Sequence, residues 1–384
     1  MKKLLIFALL VLCFFGSCSV ASDLQFGGQS ANWPIFRGSP SLSGNSECDI
    51  SATPQLQWSR SVKTRTVSSP IVYEGVVYTL DRKGKLRSYT SNGDSAIVHD
   101  FNTPVEASFI VNDSMLYVGR IDGFVNAFSL KSGKVEWKFE TLGQISGSPN
   151  IVSVNGKPHL LVGSYDGNMY VFDATKGNNI NKFTTGYYIN GTAAIWRNYM
   201  VFGGCDKWLR IVDCTSGVAT DSLELDAYLP ASPAILGDIA YEADYNGNIY
   251  EITLKDGRFA KHRKLVEVKE EDEESASGLI SMPTAARDAV IAFTGERYIS
   301  CFERSDGSLR WTKMLRGNAG ESSPVVCNDK LIVCTKDGHV TIHDISDGKE
   351  LWHYDAGEQI ISSPAVIPGC FYILTSRGTI LCFE

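Results

Sequence analysis

Apolar and polar residues alternate along this chain in short bursts, with no sustained helical stripe. FVNAFSL at residues 124–130, NMYVFDA at 168–174 and HVTIHDI at 339–345 place apolar side chains at about every second position. Such period-two alternation predicts half-buried β-strands. Glycines bracket these runs ten residues apart: Gly123 and Gly133, Gly167 and Gly177, Gly247 and Gly257, Gly338 and Gly348. Glycine supplies the positive φ of tight hairpins, so each burst reads as one strand of a meander.

The meander repeats. Residues 129–139 (SLKSGKVEWKF), 303–313 (ERSDGSLRWTK) and 344–354 (DISDGKELWHY) align without gaps, each with tryptophan four residues after glycine. A second landmark is a run of small residues ending in proline before an apolar strand, at Pro70, Pro149, Pro233, Pro283, Pro324 and Pro364, with Phe109 and Ala193 at the corresponding place in two repeats. The intervals are 39, 40, 44, 40, 50, 41 and 40 residues. Eight starts at this period, each with room for four short strands, predict an all-β, eight-bladed propeller of four-stranded antiparallel blades.

The two ends fit together. Trp137 and Trp352 each precede the next landmark by 12 residues and Trp311 by 13; Trp58 precedes Pro70 by the same 12. Residues 56–62 therefore read as a fourth strand without its first three. The eighth repeat, in turn, reaches only its third strand at Glu384. The N-terminal strand is expected to complete the last blade and close the ring, removing an open sheet edge. The predicted organisation is a signal at 1–21, an N-terminal extension at 22–55 and the propeller at 56–384.

Composition agrees: 35 glycines in 384 residues exceed the usual share of about 7%, and aromatics reach 11%. A formal charge of −7 argues against nucleic-acid binding, which needs a basic face. Lys2 and Lys3 precede twelve unbroken apolar residues, LLIFALLVLCFF, too short for a bilayer span of about 20 but suited to a secretory signal. Two ends fit. Ser19-Val20-Ala21 offers small residues for ordinary cleavage before Ser22. Phe15-Gly16-Ser17-Cys18 resembles a lipobox, which would make Cys18 a lipidated terminus and the protein's sole link to a membrane. Beyond the signal lie Cys48, Cys205, Cys214, Cys301, Cys327, Cys334, Cys370 and Cys382. An even count in an exported chain invites disulfides, but there is no CxxC or vicinal pair, so buried thiols are the favoured expectation.

GNMYVFDATKG (167–177), GFVNAFSLKSGKVEW (123–137) and DGHVTIHDISDGKELW (337–352) resemble the repeat of the pyrroloquinoline-quinone-like propeller family. Trp33-Pro34-Ile35-Phe36-Arg37-Gly38 is similar to the WPxFRG start of its secreted bacterial members. The resemblance covers residues 33–384. In size, signal and blade number it is most similar to propeller lipoproteins of outer-membrane β-barrel assembly. What the resemblance implies is a non-catalytic scaffold in the cell envelope, exported to the periplasm or anchored at the outer membrane. It would be monomeric, binding envelope proteins and carrying no cofactor. The alternatives are a quinone-dependent dehydrogenase and a small-ligand or glycan binder. The family's quinoproteins are much longer and stack their cofactor beneath a vicinal disulfide, which this chain lacks.

Other chemistry is sparse. His339 and His343 face one way on one strand but lie about 13 Å apart, too far to share a metal. Asp166, Asp306 and Asp347 read as turn residues, and Trp137, Trp311 and Trp352 as packing between blades. Cys301 and Cys382 fall where other repeats have Ala127, Val171 and Ile342, which makes them core substitutes. Trp33, Phe36 and Arg37 are expected to plug one end of the ring.

Two features remain for partner binding. Five residues before the landmark stand Arg65, Gln144, Tyr188, Tyr228 and Gln359, predicted to rim one mouth of the ring. Behind them, Val105, Ile145, Ile189, Leu229, Leu279 and Ile360 are predicted to be buried. The long interval before Pro283 carries Glu270, Glu271, Asp272, Glu273 and Glu274, which reads as a solvated loop or as a docking loop for a basic partner or a weak divalent cation.

Overall fold

A computed structural model describes residues 32–268 and 281–384. Cys18, the signal and residues 270–274 lie outside the described residues. The described chain forms eight blades of four antiparallel strands, and the sheet of blade 7 gains a fifth strand, Asn45–Ser46, parallel to Val325–Cys327. Each inner strand begins one residue after a landmark: Ile71, Ile110, Asn150, Ala194, Ala234, Thr284, Val325 and Ala365. Blade 1, for example, is Ile71–Tyr73, Val76–Leu80, Lys85–Tyr89 and Ser95–Asp100. Blades 2 to 8 follow in chain order. The closure is as the ends require. Blade 8 comprises Ala365–Ile367, Cys370–Leu374 and Thr379–Phe383, with Leu56–Ser61 as its outer strand, Trp58 opposite Cys382.

The small residues before each landmark have a structural reason. The Ser69 N–H donates to Ser108 Oγ (2.7 Å), and the Ser108 N–H to Ser148 Oγ (3.1 Å). The same step links Thr192 to Ser232, Met282 to Ser323, Ser323 to Ser363 and Ser363 to Ser69. Six of the eight blades thus donate a backbone N–H to the next blade's hydroxyl around the axis. Met282 has no hydroxyl and cannot accept the corresponding bond from blade 5. Proline fits next in line because it carries no N–H that would need a partner in this buried ring.

At larger radius the tryptophans stitch the blades. The outer strand slips one residue against the third strand in each blade, and in blades 2, 6, 7 and 8 this bulge sits beside the tryptophan. Trp137, Trp311 and Trp58 donate their indole N–H to Ala174, Ile345 and Ser91 of the following blade (2.9, 2.9 and 2.7 Å). Their rings lie on Gly177, Gly348 and Gly93, where φ is positive and a methyl group would overlap the indole. Trp352 differs. The blade after it takes its outer strand from the N-terminus, so no continuous turn receives the ring, which packs edge-on against Phe371 and Phe383 (6.4 and 5.3 Å).

The plug is a strap spanning residues 33–49. Its backbone bonds inner strands in succession: Trp33 pairs with Val72, Pro34 accepts from Val111, and Pro40 from Ile195. Ser41, Ser43 and Gly44 accept from Ile235, Ala285 and Val326, and Asp49 from Gly369. Blade 3 joins through the Asn150 side chain, which donates to Pro40 O (2.8 Å). Arg37, 1% exposed, donates to the carbonyls of Leu42, Ser43, Pro283 and Pro324 and to Thr284 Oγ1. Burial pulls its guanidinium down to about 9.

All eight described cysteines are free thiols, and seven are buried. Cys301 and Cys382 face Trp311 and Trp58 as Ala127 faces Trp137, the core position expected of them.

Two outcomes follow. Trp311→Ala leaves a cavity between blades 6 and 7 and an unpaired Ile345 carbonyl; chemical denaturation is expected to show a loss of about 3–5 kcal/mol. Glu242, fully buried in blade 5 where other blades have Val118, Phe202 and Val333, has no partner for Oε2 among the described residues. Burial raises its carboxyl to about 8 from an ordinary 4.5. The native state therefore holds a proton that the unfolded chain releases, and stability falls as pH rises through that window. Glu242→Gln should flatten this fall in a series of melts between those two pH values.

Candidate functional site

The strap covers the face that carries the hairpins between first and second strands. The opposite face carries the loops leading into the inner strands, and all five rim residues lie there. Their register is fixed by a repeated backbone bond: the carbonyls of Arg65, Gln144, Tyr188, Tyr228 and Gln359 accept from Arg82, Tyr165, Cys205, Tyr245 and Ser376 in the second-to-third-strand loop of the same blade. The next residue turns inward: Thr66, Ile145, Ile189, Leu229 and Ile360 are buried, as is Val105 of blade 2, while Leu279 lies outside the described residues. One side chain out and the next in, on a backbone pinned from behind, holds the rim rigid without burying it.

The rim has two chemical sectors. Across blades 3 to 5 it is aromatic. Tyr188, 49% exposed, stacks on Tyr165 at 5.1 Å and 18°, bridging two blades, with Tyr187 tilted against it at 5.0 Å. Tyr228, 37% exposed, stacks on Tyr245 at 4.4 Å. Leu142, 91% exposed, stands two residues before Gln144. Asp166 anchors this sector from below. Burial would raise its carboxyl, but the Tyr170 hydroxyl and the N–H groups of Leu142 and Asn168 outweigh that and hold it low. Asp306 and Asp347 accept from Ser308 and Lys349 in their turns, as expected.

Across blades 7, 8 and 1 the rim is cationic. Arg65 and Gln359 line a cleft of about 760 Å³ with Lys63, Lys336 and Arg377, facing Glu321 and Glu358. The sequence pattern located Arg65 and Gln359. It missed Lys63 and Arg377, and also Lys336, Tyr165 and Tyr245, which share the place two residues before Gly338, Gly167 and Gly247 in a loop some twenty residues away in the chain. A longer second-to-third-strand alignment was the signal that could have found them.

Between the sectors the channel opens. Its cavity is about 200 Å³, lined by Phe36, by backbone, by serine and threonine hydroxyls, and by Glu106 and Glu321, smaller than the usual small-molecule site of about 300–1,000 Å³. The histidines regroup as well. His343 is buried, bonded to Gly348 O and Thr341 Oγ1, whereas His339 meets His353 across the strand at 3.1 Å.

The family model described as outer membrane protein assembly factor BamB matches residues 49–263 and 265–383. The chain belongs to this family. An outer membrane protein assembly factor BamB of Taylorella asinigenitalis is 28% identical over 167 residues, spanning 43% of this chain and 38% of that relative. The BamB of Shewanella oneidensis is 22% identical over 307 residues, 74% of this chain and 72% of the relative. Among solved structures, BamB from Moraxella catarrhalis superposes with a TM-score of 0.70 at 16% identity, covering 86% of this chain and 98% of that one. The quinohemoprotein alcohol dehydrogenase of Comamonas testosteroni superposes at 0.75 with 12% identity, covering 93% and 81%. At such identities the superpositions carry the propeller fold and no more, and that fold is common to both.

Proposed function

We propose that this chain is a non-catalytic scaffold of the cell envelope that takes part in outer-membrane protein assembly by docking protein partners on its loop face. The observation that carries the reading is the exposed aromatic sector, two stacked tyrosine pairs on rigid loops, in a chain of the BamB family. Exposed tyrosines with few rotatable bonds make strong anchors for a protein interface. The cationic cleft beside Arg65 and Gln359 complements an acidic stretch of such a partner and sets its orientation. The acidic residues Glu270 to Glu274 supply a second, oppositely charged contact. Export by the N-terminal signal and a lipid on Cys18 would hold a monomeric propeller at the membrane with this face free.

Affinity purification from crosslinked envelopes tests the reading. Tyr188→Ala with Tyr228→Ala is expected to cut recovery of outer-membrane assembly proteins about tenfold or more, at about 1–2 kcal/mol per aromatic. The melting temperature should be unchanged, since both side chains lie outside the core. Deleting residues 267–275 should lower recovery too. Unchanged recovery from both variants would refute the face.

A further inference from the structure

We propose that Cys370, Cys382 and Glu384 form a binding site for a thiophilic divalent cation of the zinc type in the closing blade. Among the described residues, their ligand atoms are the one trio of metal-binding type that converges, all within 4.8 Å of one another. The two sulfurs lie 3.5 Å apart, and both thiols are buried while Glu384 is exposed.

The strand register decides between a bridging ion and a direct sulfur–sulfur bond. Cys382 lies opposite Tyr372 and Phe383 opposite Phe371, so Cys370 sits diagonally to Cys382 on the same side of the sheet. Diagonal neighbours have Cα atoms about 7–8 Å apart, beyond the usual disulfide range of about 4.4–6.8 Å. Zinc–sulfur bonds of about 2.3 Å at a tetrahedral angle separate two sulfurs by about 3.8 Å, close to the spacing found. The carboxylate supplies a third ligand from the solvent side, which gives the ion a way in and leaves a fourth position for water.

The hydrogen bond from Cys382 is the main influence holding the Cys370 thiol below its ordinary value, against its burial. The same bond, with burial, pushes Cys382 up. A cation bound by both sulfurs would displace the thiol protons to solvent. Trp58 of the N-terminal strand lies opposite Cys382 and packs on Tyr372 at 6.0 Å. A metal here would therefore rivet the middle strand to the third strand where the ring closes.

The test uses the full chain, reduced and then desalted after exposure to zinc chloride, with bound zinc measured by mass spectrometry. One zinc per chain is expected, with a rise in melting temperature and tighter binding as pH increases. Cobalt in its place should give the visible spectrum of a tetrahedral thiolate site. Cys370→Ser and Cys382→Ser should lose the retained metal, Glu384→Gln should retain less, and Cys205→Ser should retain as much as the parent. The exposed Glu384 variant keeps the test informative if a buried cysteine variant misfolds. No retained zinc on folded protein, equal retention by Glu384→Gln, or a Cys370–Cys382 disulfide in thiol-trapped protein would each overturn the site.

Discussion

The structure depends on closing a ring whose two ends come from opposite ends of the chain. Leu56–Ser61 pairs with Thr379–Phe383, and Gln55 and Glu384 exchange backbone bonds just beyond. Without that pairing the last blade would end at its third strand with an open edge. The indole of Trp58 would also lose its place on Gly93 of blade 1. Inner and outer stitching meet at this seam: the Ser363 N–H bonds Ser69 Oγ near the axis, and the Trp58 N–H bonds Ser91 O near the rim. Every other junction between blades joins segments adjacent in sequence. This one joins residues some three hundred apart, so it is the junction with the largest loop-closure entropy to overcome.

Sealing one end leaves the other for the proposed partners. The strap spends its backbone on the inner strands, and Arg37 and Phe36 fill the axis. The hairpin face is thereby occupied by the chain itself. The loop face stays open, with its carbonyls pinned and its side chains free, and its division into aromatic and cationic sectors would give the proposed docking partner both anchor and orientation.

Much of this was legible in the sequence because a propeller writes its geometry at a fixed beat. Pro70 and its counterparts mark inner strands to the residue, and the spacing of Trp58 from Pro70 predicts the closure. The rim residues were legible for the same reason, since each sits at one repeated offset. What escaped depends on register between strands. His339 meets His353, and Cys370 meets Cys382, through pairings that alternation alone cannot align. The cationic cleft escaped because Lys63, Lys336 and Arg377 come from three different loops and share no offset. Trp352 departs from its sisters because the chain runs out of the blade it would have packed upon.

The most direct measurement is site-specific photocrosslinking in intact envelopes, with the reactive group placed at Tyr188 and, for comparison, at Ile97 on the exposed outer strand of blade 1. Crosslinks to proteins of outer-membrane assembly are expected from the Tyr188 position, and none to them from the Ile97 position. Capture of those proteins from Ile97 with none from Tyr188 would contradict the proposed docking, because partners would then meet the side of the ring and not its loop face.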